Sequence, residues 1–168
     1  KGDARIECGA LVVDGSDAWV ETAPLAAPLK AKTLEAWVQL GTLDQKGGGV
    51  IGVQSNDGKF FDSIVFAERE ARRWMPGSNG LVRTKSFGSP EENEAHQQPV
   101  HVAIVYHEDG TITGYRNGLP HGKPYKTGRH DFPAGSSQVI FGMRHRGGGN
   151  NFLNGKIHRA QLYDLALG

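Results

Sequence analysis

Short runs of alternating apolar and polar residues recur along the chain and are separated by turn signals. The strongest run is TLEAWVQL, residues 33–40, in which every second side chain, from Leu34 to Leu40, is apolar. Segments with the 3.6-residue period of an amphipathic helix are scarce. The pattern therefore predicts an all-β protein.

Two hairpins are predicted from tight-turn sequences. Asn-Asp-Gly at 56–58 separates a strand at 50–54 from one at 60–70, and Glu-Asp-Gly at 108–110 separates 101–107 from 111–117. Further strands are expected at 9–14, 18–21, 81–87, 138–144 and 156–163, and loops at 72–79 and 88–99. This order predicts a two-sheet antiparallel jelly-roll sandwich spanning residues 1–168 as one domain.

The composition limits the classes of site that are expected. The single Cys8 cannot form an internal disulfide, and no spaced Cys/His cluster indicates zinc. The chain begins at Lys1 without Met and has neither a signal peptide nor an 18-residue apolar run. We therefore expect a domain cut from a larger protein, without membrane insertion.

The net charge of +1 conceals an uneven distribution. Residues 1–110 carry 11 basic and 16 acidic side chains, a balance of −5, whereas residues 111–168 carry 8 and 2, a balance of +6. Gathered on one surface, these cations would attract an anionic partner. The alternative is an ordinary surface balanced by acidic neighbours from the first part of the chain.

Four motifs occur in order along nearly the whole chain: TLEAWV at 33–38, HVAIVYHEDG at 101–110, GYRNG at 114–118 and GKIHRAQLY at 155–163. In this order they resemble the laminin-G-like, concanavalin A-like lectin/glucanase superfamily, which implies a jelly roll. Residues 61–84 and the run GKIHRAQLYDLAL are similar to the version found in large exported bacterial proteins with cytochrome-like domains. That resemblance implies a polysaccharide-degrading context, an exported location and flanking domains as partners.

Two residues depart from the family pattern. The resemblance implies a structural Ca²⁺ held partly by an acidic residue after the first strand, a position that Asp14 fits. His158 stands where the family has the second Asp, and imidazole is a poor ligand for a hard cation, so calcium is doubtful and no other cofactor is expected. Arg116 occupies a position that is usually apolar, so it has a buried partner or reaches a groove.

A glycosidase would need paired carboxylates. Glu68 and Glu70 come nearest: two apart on a strand, they share one face at ~6.5 to 7 Å. The family signature E-x-D-x-x-E is absent, and Arg69, Arg72 and Arg73 offer ion pairs. We therefore expect no enzymatic activity.

Sugar binding needs flat rings that stack on pyranose faces and donors that contact hydroxyl or acidic groups. Trp74, beside Arg72 in a predicted loop, fits this need, with the alternative that it folds back over the sandwich edge. Tyr115 and Arg116 are further candidates. A second candidate is the loop Arg144-His145-Arg146, whose glycines lead to Asn150 and Asn151.

These residues predict a non-catalytic module that binds an extracellular polysaccharide or oligosaccharide, and the basic last third favours one that carries sulfate or uronate. The alternatives are a protein-interaction or spacer domain of a larger exported protein and, third, a glycoside hydrolase. Nucleic acid is not expected, because the aromatic residues that interleave with cations in single-strand binders are absent.

Overall fold

The chain forms two antiparallel β-sheets that pack face to face. The computed structural model describes residues 1–149 and 151–168, so Asn150 of the predicted binding loop lies outside the described residues. The strands are β1 (Arg5–Glu7), β2 (Ala10–Asp14), β3 (Val20–Glu21), β4 (Lys32–Leu40), β5 (Gly48–Ser55), β6 (Phe61–Phe66), β7 (Trp74–Ser78), β8 (Val100–Tyr106), β9 (Thr111–Arg116), β10 (Leu119–Pro120), β11 (Tyr125–Lys126), β12 (Ser137–Phe141) and β13 (Asn154–Tyr163). The predicted all-β sandwich is confirmed.

The larger sheet has the strand order β1-β2-β13-β4-β8-β9-β10, with β11 also paired to β9. The smaller sheet has the order β3-β12-β5-β6-β7. The last strand, β13, lies between β2 and β4, so the chain returns to the sheet in which it began. Long-range pairing of this kind is typical of a jelly roll.

The core lies between the two sheets. Leu34, Ala36 and Val38 of β4 are fully buried, as the alternation predicts. They belong to the same apolar cluster as Ile64 and Phe66 of the smaller sheet. Asp62 lies two residues before Ile64 on the same strand. Its side chain therefore shares the inner face of β6 and lies beside the core.

Three buried charged side chains close this end of the core. Asp62 accepts a hydrogen bond from Arg83 Nε at 2.7 Å and lies 2.9 Å from Lys32 Nζ. Lys32 and Asp62 are fully buried, and the ammonium lies over the rings of Tyr106 and Phe132, at 4.6 and 5.3 Å from their centroids. A buried carboxylate with two cations satisfies the rule that charges inside proteins are paired.

A second buried carboxylate, Glu92, anchors the long connection between β7 and β8. Its oxygens accept hydrogen bonds from Trp74 Nε1 at 2.8 Å, from Arg116 Nε and Nη2 at 2.8 and 2.9 Å, and from the backbone of Glu94 and Ala95. Burial alone would raise the pKa of Glu92, but the hydrogen bonds from Arg116 and Trp74 lower it to about 2. The connection is therefore tied to the core and to β9.

The strand predictions at 60–70, 72–79 and 81–87 need correction. The strand after the first hairpin ends at Phe66, and the predicted loop at 72–79 contains β7. β7 is an edge strand paired only with β6, which explains why it tolerates Pro76. In the described part of the chain, 81–87 holds no strand; a 3₁₀ turn, Asn79–Leu81, precedes irregular backbone.

Candidate functional site

The chain reverses at Gly142, directly after β12. Gly142 has φ of 80°, a conformation that favours glycine. Residues 143–147, which we name the crossing segment, then run back over the outer face of the smaller sheet along β5. A Cβ atom at Gly49 would lie 2.5 Å from the Arg144 backbone, and one at Gly58 would lie 2.8 Å from the backbone nitrogen of Gly147. The crossing segment therefore rests directly on β5 and the turn that follows it.

Polar side chains on the outer face of three strands hold the crossing segment. The Arg146 backbone N–H donates to Gln54 Oε1 of β5 at 2.9 Å. Its guanidinium contacts Gln138 Oε1 of β12 at 3.2 Å and Glu21 Oε2 of β3 at 3.1 Å. Arg146 thus fixes the segment across β5, β12 and β3.

A pocket of about 300 Å³ opens beside the crossing segment, over β6. Phe61 of β6 lies under it, and the His145 ring stacks on Phe61 with centroids 4.0 Å apart and planes 9° from parallel. The remaining wall is formed by the end of β7 and the residues after it, by residues that flank β6 and by the crossing segment: Lys59, Glu68, Ser78, Asn79, Gly80, Leu81 and Arg144. Phe61 is only 3% exposed, so the half-buried His145 ring is the aromatic surface of the pocket, beside charged and amide groups.

Glu68 and Arg144 form a shielded ion pair at the pocket wall. Arg144 Nη1 donates to Glu68 Oε1 at 2.9 Å, and the two side chains are only 15% and 4% exposed, respectively. Burial raises the pKa of Glu68, although Arg144 opposes the shift. Glu68 Oε2 and Arg144 Nε have no hydrogen-bond partner among the described residues. Both atoms are also shielded from solvent, so the ion pair forms part of the pocket wall and these two atoms are not exposed to the pocket.

His145 contributes a neutral ring at physiological pH. Burial and the nearby Arg144 guanidinium lower the pKa of His145 below its ordinary value of 6.5, although its contact with the Gly58 carbonyl opposes this. Its Nδ1 lies 3.0 Å from that carbonyl oxygen, which fixes the orientation of the ring. His145 thus acts as a rigid, uncharged surface beside Phe61.

The structure brings together two of the seven predicted ligand-binding residues, Arg144 and His145. Asn151 lies next to this pair, since its carbonyl accepts a hydrogen bond from the Arg144 backbone at 3.2 Å. Its side-chain amide faces Gly47, away from the pocket wall. Asn151 therefore supports the crossing segment from the side.

The prediction that Trp74 stacks on a sugar from a loop is wrong. Trp74 begins β7, is 1% exposed and packs against Phe66 in the core, with ring centroids 4.8 Å apart. Arg116 is engaged with Glu92 and also with Glu94, whose Oε2 lies 2.7 Å from Arg116 Nη2. Arg116 therefore has the buried partner that its unusual position required.

Arg72 and Tyr115 lie elsewhere on the surface. Arg72 donates to Asp44 Oδ1 at 2.9 Å, and Asp44 is 80% exposed, so this pair contributes little stability. Tyr115 lies on the outer face of the larger sheet, opposite Ala103, beside a separate hollow of about 210 Å³. The four remaining predicted residues thus do not form one site with Arg144 and His145.

The cations of the last third do not form a free positive surface. Five of the eight have carboxylate partners within 4.0 Å: Arg116, Lys126, Arg129, Arg144 and Arg146. Nearly all of these carboxylates come from the first 110 residues. The arrangement agrees with the alternative in which acidic neighbours from the first part balance the charge.

The Asp14 carboxylate is engaged by local hydrogen-bond donors. It accepts hydrogen bonds from the Ser16 backbone at 2.9 Å and the Ser16 hydroxyl at 2.7 Å, and from the backbone of Asp17 and Ala18. These donors hold the pKa of Asp14 well below its usual range. Within residues 1–149 and 151–168, no group of three His, Cys, Asp or Glu side chains could hold a metal ion.

The carboxylates Glu68 and Glu70 have different partners. Both lie beyond the end of β6, so the same-face geometry expected of a strand does not apply. Glu70 accepts a hydrogen bond from the Ser86 hydroxyl at 2.6 Å and lies 3.7 Å from Arg73. Of the residues that line the described pocket, Glu68 alone carries a carboxylate.

Sequence reasoning missed six residues of the pocket lining: Lys59, Phe61, Ser78, Asn79, Gly80 and Leu81. Phe61 fits the alternating pattern of a strand, but nothing in the neighbouring sequence indicates that its side chain lies under a pocket. The glycines at 47–49 were the available signal, because glycine within a strand marks a close approach of another backbone.

Comparisons with known proteins agree with this architecture. A family model described as the concanavalin A-like lectin/glucanases superfamily matches residues 14–168. A search of curated proteins finds no significant match. Within the described residues, no helix is long and apolar enough to cross a membrane.

Three solved structures illustrate the similarity of fold. The heptameric SAP-like pentraxin from Limulus polyphemus is 19% identical, with a TM-score of 0.72 and coverage of 94% of this chain and 76% of that one. Domain 4 of the extracellular arabinanase AbnA from Geobacillus stearothermophilus, in complex with arabinotriose, is 16% identical, with a TM-score of 0.72 and coverage of 95% and 72%. The sialidase module CBM40 from Ruminococcus gnavus, bound to α2,3 sialyllactose, is 12% identical, with a TM-score of 0.65 and coverage of 95% and 92%.

Proposed function

Because the chain belongs to the concanavalin A-like lectin/glucanases superfamily, we propose that it is a carbohydrate-binding domain without catalytic activity. Its glycan site is the pocket beside the crossing segment. The observation that carries the proposal is the combination of the stacked Phe61 and His145 rings with the Glu68–Arg144 pair. The His145 ring, which Phe61 supports from below, can stack on a sugar ring, and the charged groups beside it suit the sugar hydroxyls.

Two of the similar folds support the proposal through their bound ligands, arabinotriose in one and sialyllactose in the other. Both ligands are oligosaccharides, and each is bound by a domain whose fold is similar to this one. A domain that binds an extracellular polysaccharide would act outside the cell, and we therefore include an exported location and flanking domains of a larger protein in the proposal.

The number of carboxylates supports the proposed absence of catalysis. Most glycosidases use two, one as acid and one as nucleophile or base, whereas the pocket described here contributes Glu68 only. Glu68 is also paired with Arg144. We expect no release of sugar from any polysaccharide that the domain binds.

An anionic glycan would depend on Lys59. The charge of Arg144 is neutralised by Glu68, whereas Lys59 is 74% exposed at the pocket rim and lies 3.7 Å from Asp57. Lys59 is thus the cation available to a sulfate or uronate group. We expect Lys59→Ala to lower the affinity for an acidic glycan and to leave the affinity for a neutral glycan unchanged.

The test is affinity electrophoresis on cellulose derivatives, xylan, arabinan, pectin and heparin, followed by calorimetry on the polysaccharide retained. Arg144→Met is expected to weaken binding roughly 10- to 100-fold, the effect of losing a charged hydrogen bond. Arg72→Met is the matched control, since Arg72 also pairs with a carboxylate but lies outside the pocket.

Arg144→Met leaves Glu68 without its cation, so His145→Ala provides a second variant that removes the stacked ring alone. Circular dichroism establishes that each variant is folded. Equal binding by wild type, Arg144→Met and His145→Ala would refute the site, and no retention on any polysaccharide would refute the function.

A further inference from the structure

One side-chain amide of the pocket is held in a single orientation. Asn79 follows β7, and its Oδ1 accepts hydrogen bonds from the Phe61 backbone N–H at 3.3 Å and from Arg83 Nη2 at 2.9 Å. Both partners are groups that can only donate, so an amide turned by a half rotation would place its own N–H groups against them. The oxygen of the Asn79 amide therefore faces β6 and Arg83.

A buried charge cluster fixes this arginine in place. Arg83 is 5% exposed, its Nε donates to Asp62 Oδ1 at 2.7 Å, and its Nη2 also donates to the Phe61 carbonyl at 3.1 Å. Asp62 is paired in turn with Lys32 in the core. Because these partners hold the guanidinium from the inside, Arg83 is not free to turn away from Asn79, and the cluster positions the amide.

The amide nitrogen lies on the opposite side of the same group. Asn79 is half-buried and lines the pocket, and its Nδ2 has no hydrogen-bond partner among the described residues. The shielded polar atoms without a partner include Glu68 Oε2 but not Asn79 Nδ2, so this nitrogen keeps accessible surface. Its two N–H groups are thus available to a ligand.

The other polar groups of the pocket wall favour the same kind of partner. Besides Asn79, the side-chain oxygens of the wall belong to Glu68 and Ser78, which are only 4% and 3% exposed. Lys59 at the rim is 74% exposed. What the pocket offers beside the His145 ring is therefore a mobile cation and a fixed N–H donor, and this combination suits an oxygen that carries negative charge.

We propose that Asn79 determines the specificity of the pocket: its amide, oriented by Arg83, donates to a carboxylate or sulfate oxygen of the glycan that Lys59 attracts. This inference rests on the proposed function and assigns its ligand class. A sugar hydroxyl can either donate or accept, whereas carboxylate and sulfate oxygens only accept. Replacement of the N–H donor by an acceptor is therefore tolerated by a hydroxyl ligand and not by an anionic one.

Asn79→Asp tests this role with a side chain of nearly the same shape. Aspartate keeps one oxygen for Arg83 and the Phe61 N–H, so the urea midpoint is expected to stay the same or rise, while its second oxygen replaces the N–H donor. The Kd for an acidic glycan is expected to rise at least tenfold.

Asn117→Asp is the matched control. Asn117 lies outside the pocket, and its Oδ1 likewise accepts a backbone N–H, from His101 at 2.9 Å. The substitution makes the same change in charge and is expected to leave the Kd within about twofold of wild type, the precision of a calorimetric comparison at ~0.4 kcal/mol.

The source of the anionic oxygen is found by titrating pectin, carboxyl-reduced pectin, heparin and desulfated heparin calorimetrically into the wild-type domain. Loss of binding on carboxyl reduction identifies a uronate, and loss on desulfation identifies a sulfate; either result supports the inference. Wild-type affinity in a folded Asn79→Asp variant, or retention of neutral polysaccharides alone, would overturn the inference while the glycan-binding function stands. Failure to retain any polysaccharide of the panel would overturn both.

Discussion

Glu92 offers the sharpest test of the energetics of this fold. Its side chain is fully buried and accepts hydrogen bonds from Trp74 and Arg116. Its pKa is about 2 in the folded protein against an ordinary value of 4.5. A carboxylate with a depressed pKa stabilises the fold above its unfolded-state pKa, and the contribution is lost as the pH falls toward the folded-state value.

The magnitude follows from these two pKa values. Their difference corresponds to roughly 3 kcal/mol of folding stability at pH 7. The contribution falls to roughly 1.5 kcal/mol at pH 3, because the carboxyl of the unfolded chain is mostly protonated there. Since domains of this size have total stabilities of about 5–15 kcal/mol, the effect is a substantial part of the whole.

Glu92→Gln isolates this contribution from those of other carboxylates. Urea unfolding followed by tryptophan fluorescence is expected to show the variant about 3 kcal/mol less stable at pH 7, with the difference roughly halved at pH 3. The difference shrinks because the unfolded-state carboxyl is mostly protonated at pH 3, so wild type must release that proton to fold with an ionised Glu92.

Glu94→Gln is the control, because Glu94 contacts the same Arg116 but is 53% exposed. Its expected cost is below about 1 kcal/mol at either pH. A wild-type advantage over Glu92→Gln that does not change between pH 7 and pH 3 would refute the assignment, as would an equal loss in Glu94→Gln.

Three further predictions concern other parts of the molecule. Asp62→Asn is expected to cost about 3–5 kcal/mol in urea unfolding, because it leaves two buried cations without their shared carboxylate; a cost near zero would contradict the pairing. Gly49→Ala is expected to cost about 1–3 kcal/mol and to weaken glycan binding, since its methyl group would displace the Arg144 backbone; an unchanged urea midpoint and Kd would count against the close contact. Calcium and EDTA are expected to give the same melting temperature, because the Asp14 carboxylate already has four donors; a rise of several degrees with calcium would indicate a bound ion.

The sequence predicts the fold well because the strands leave local signals. The alternation in residues 33–40 and the turns at 56–58 and 108–110 correspond to β4 and to the β5–β6 and β8–β9 hairpins. β7 was missed because Pro76 and the preceding arginines imitate a loop. Only its position at a sheet edge makes this sequence acceptable as a strand.

The site was predicted less completely because its contacts are long-range. Arg144 pairs with Glu68 across 76 residues, and Arg146 contacts Gln54 across 92. The charged residues next to Trp74 in the sequence suggested an exposed side chain. They gave no sign that its indole N–H donates to Glu92, 18 residues later, inside the protein. Local composition identifies groups capable of binding, whereas the pairing of distant strands decides which of them share a pocket.

The contact between Gly49 and the crossing segment constrains how this sequence can vary. A side chain at position 49 and a backbone at Arg144 cannot occupy the same space. Among related chains, loss of that glycine should therefore accompany a shorter or rerouted connection between β12 and β13. Such chains would expose the outer face of β5, and the two changes should be inherited together.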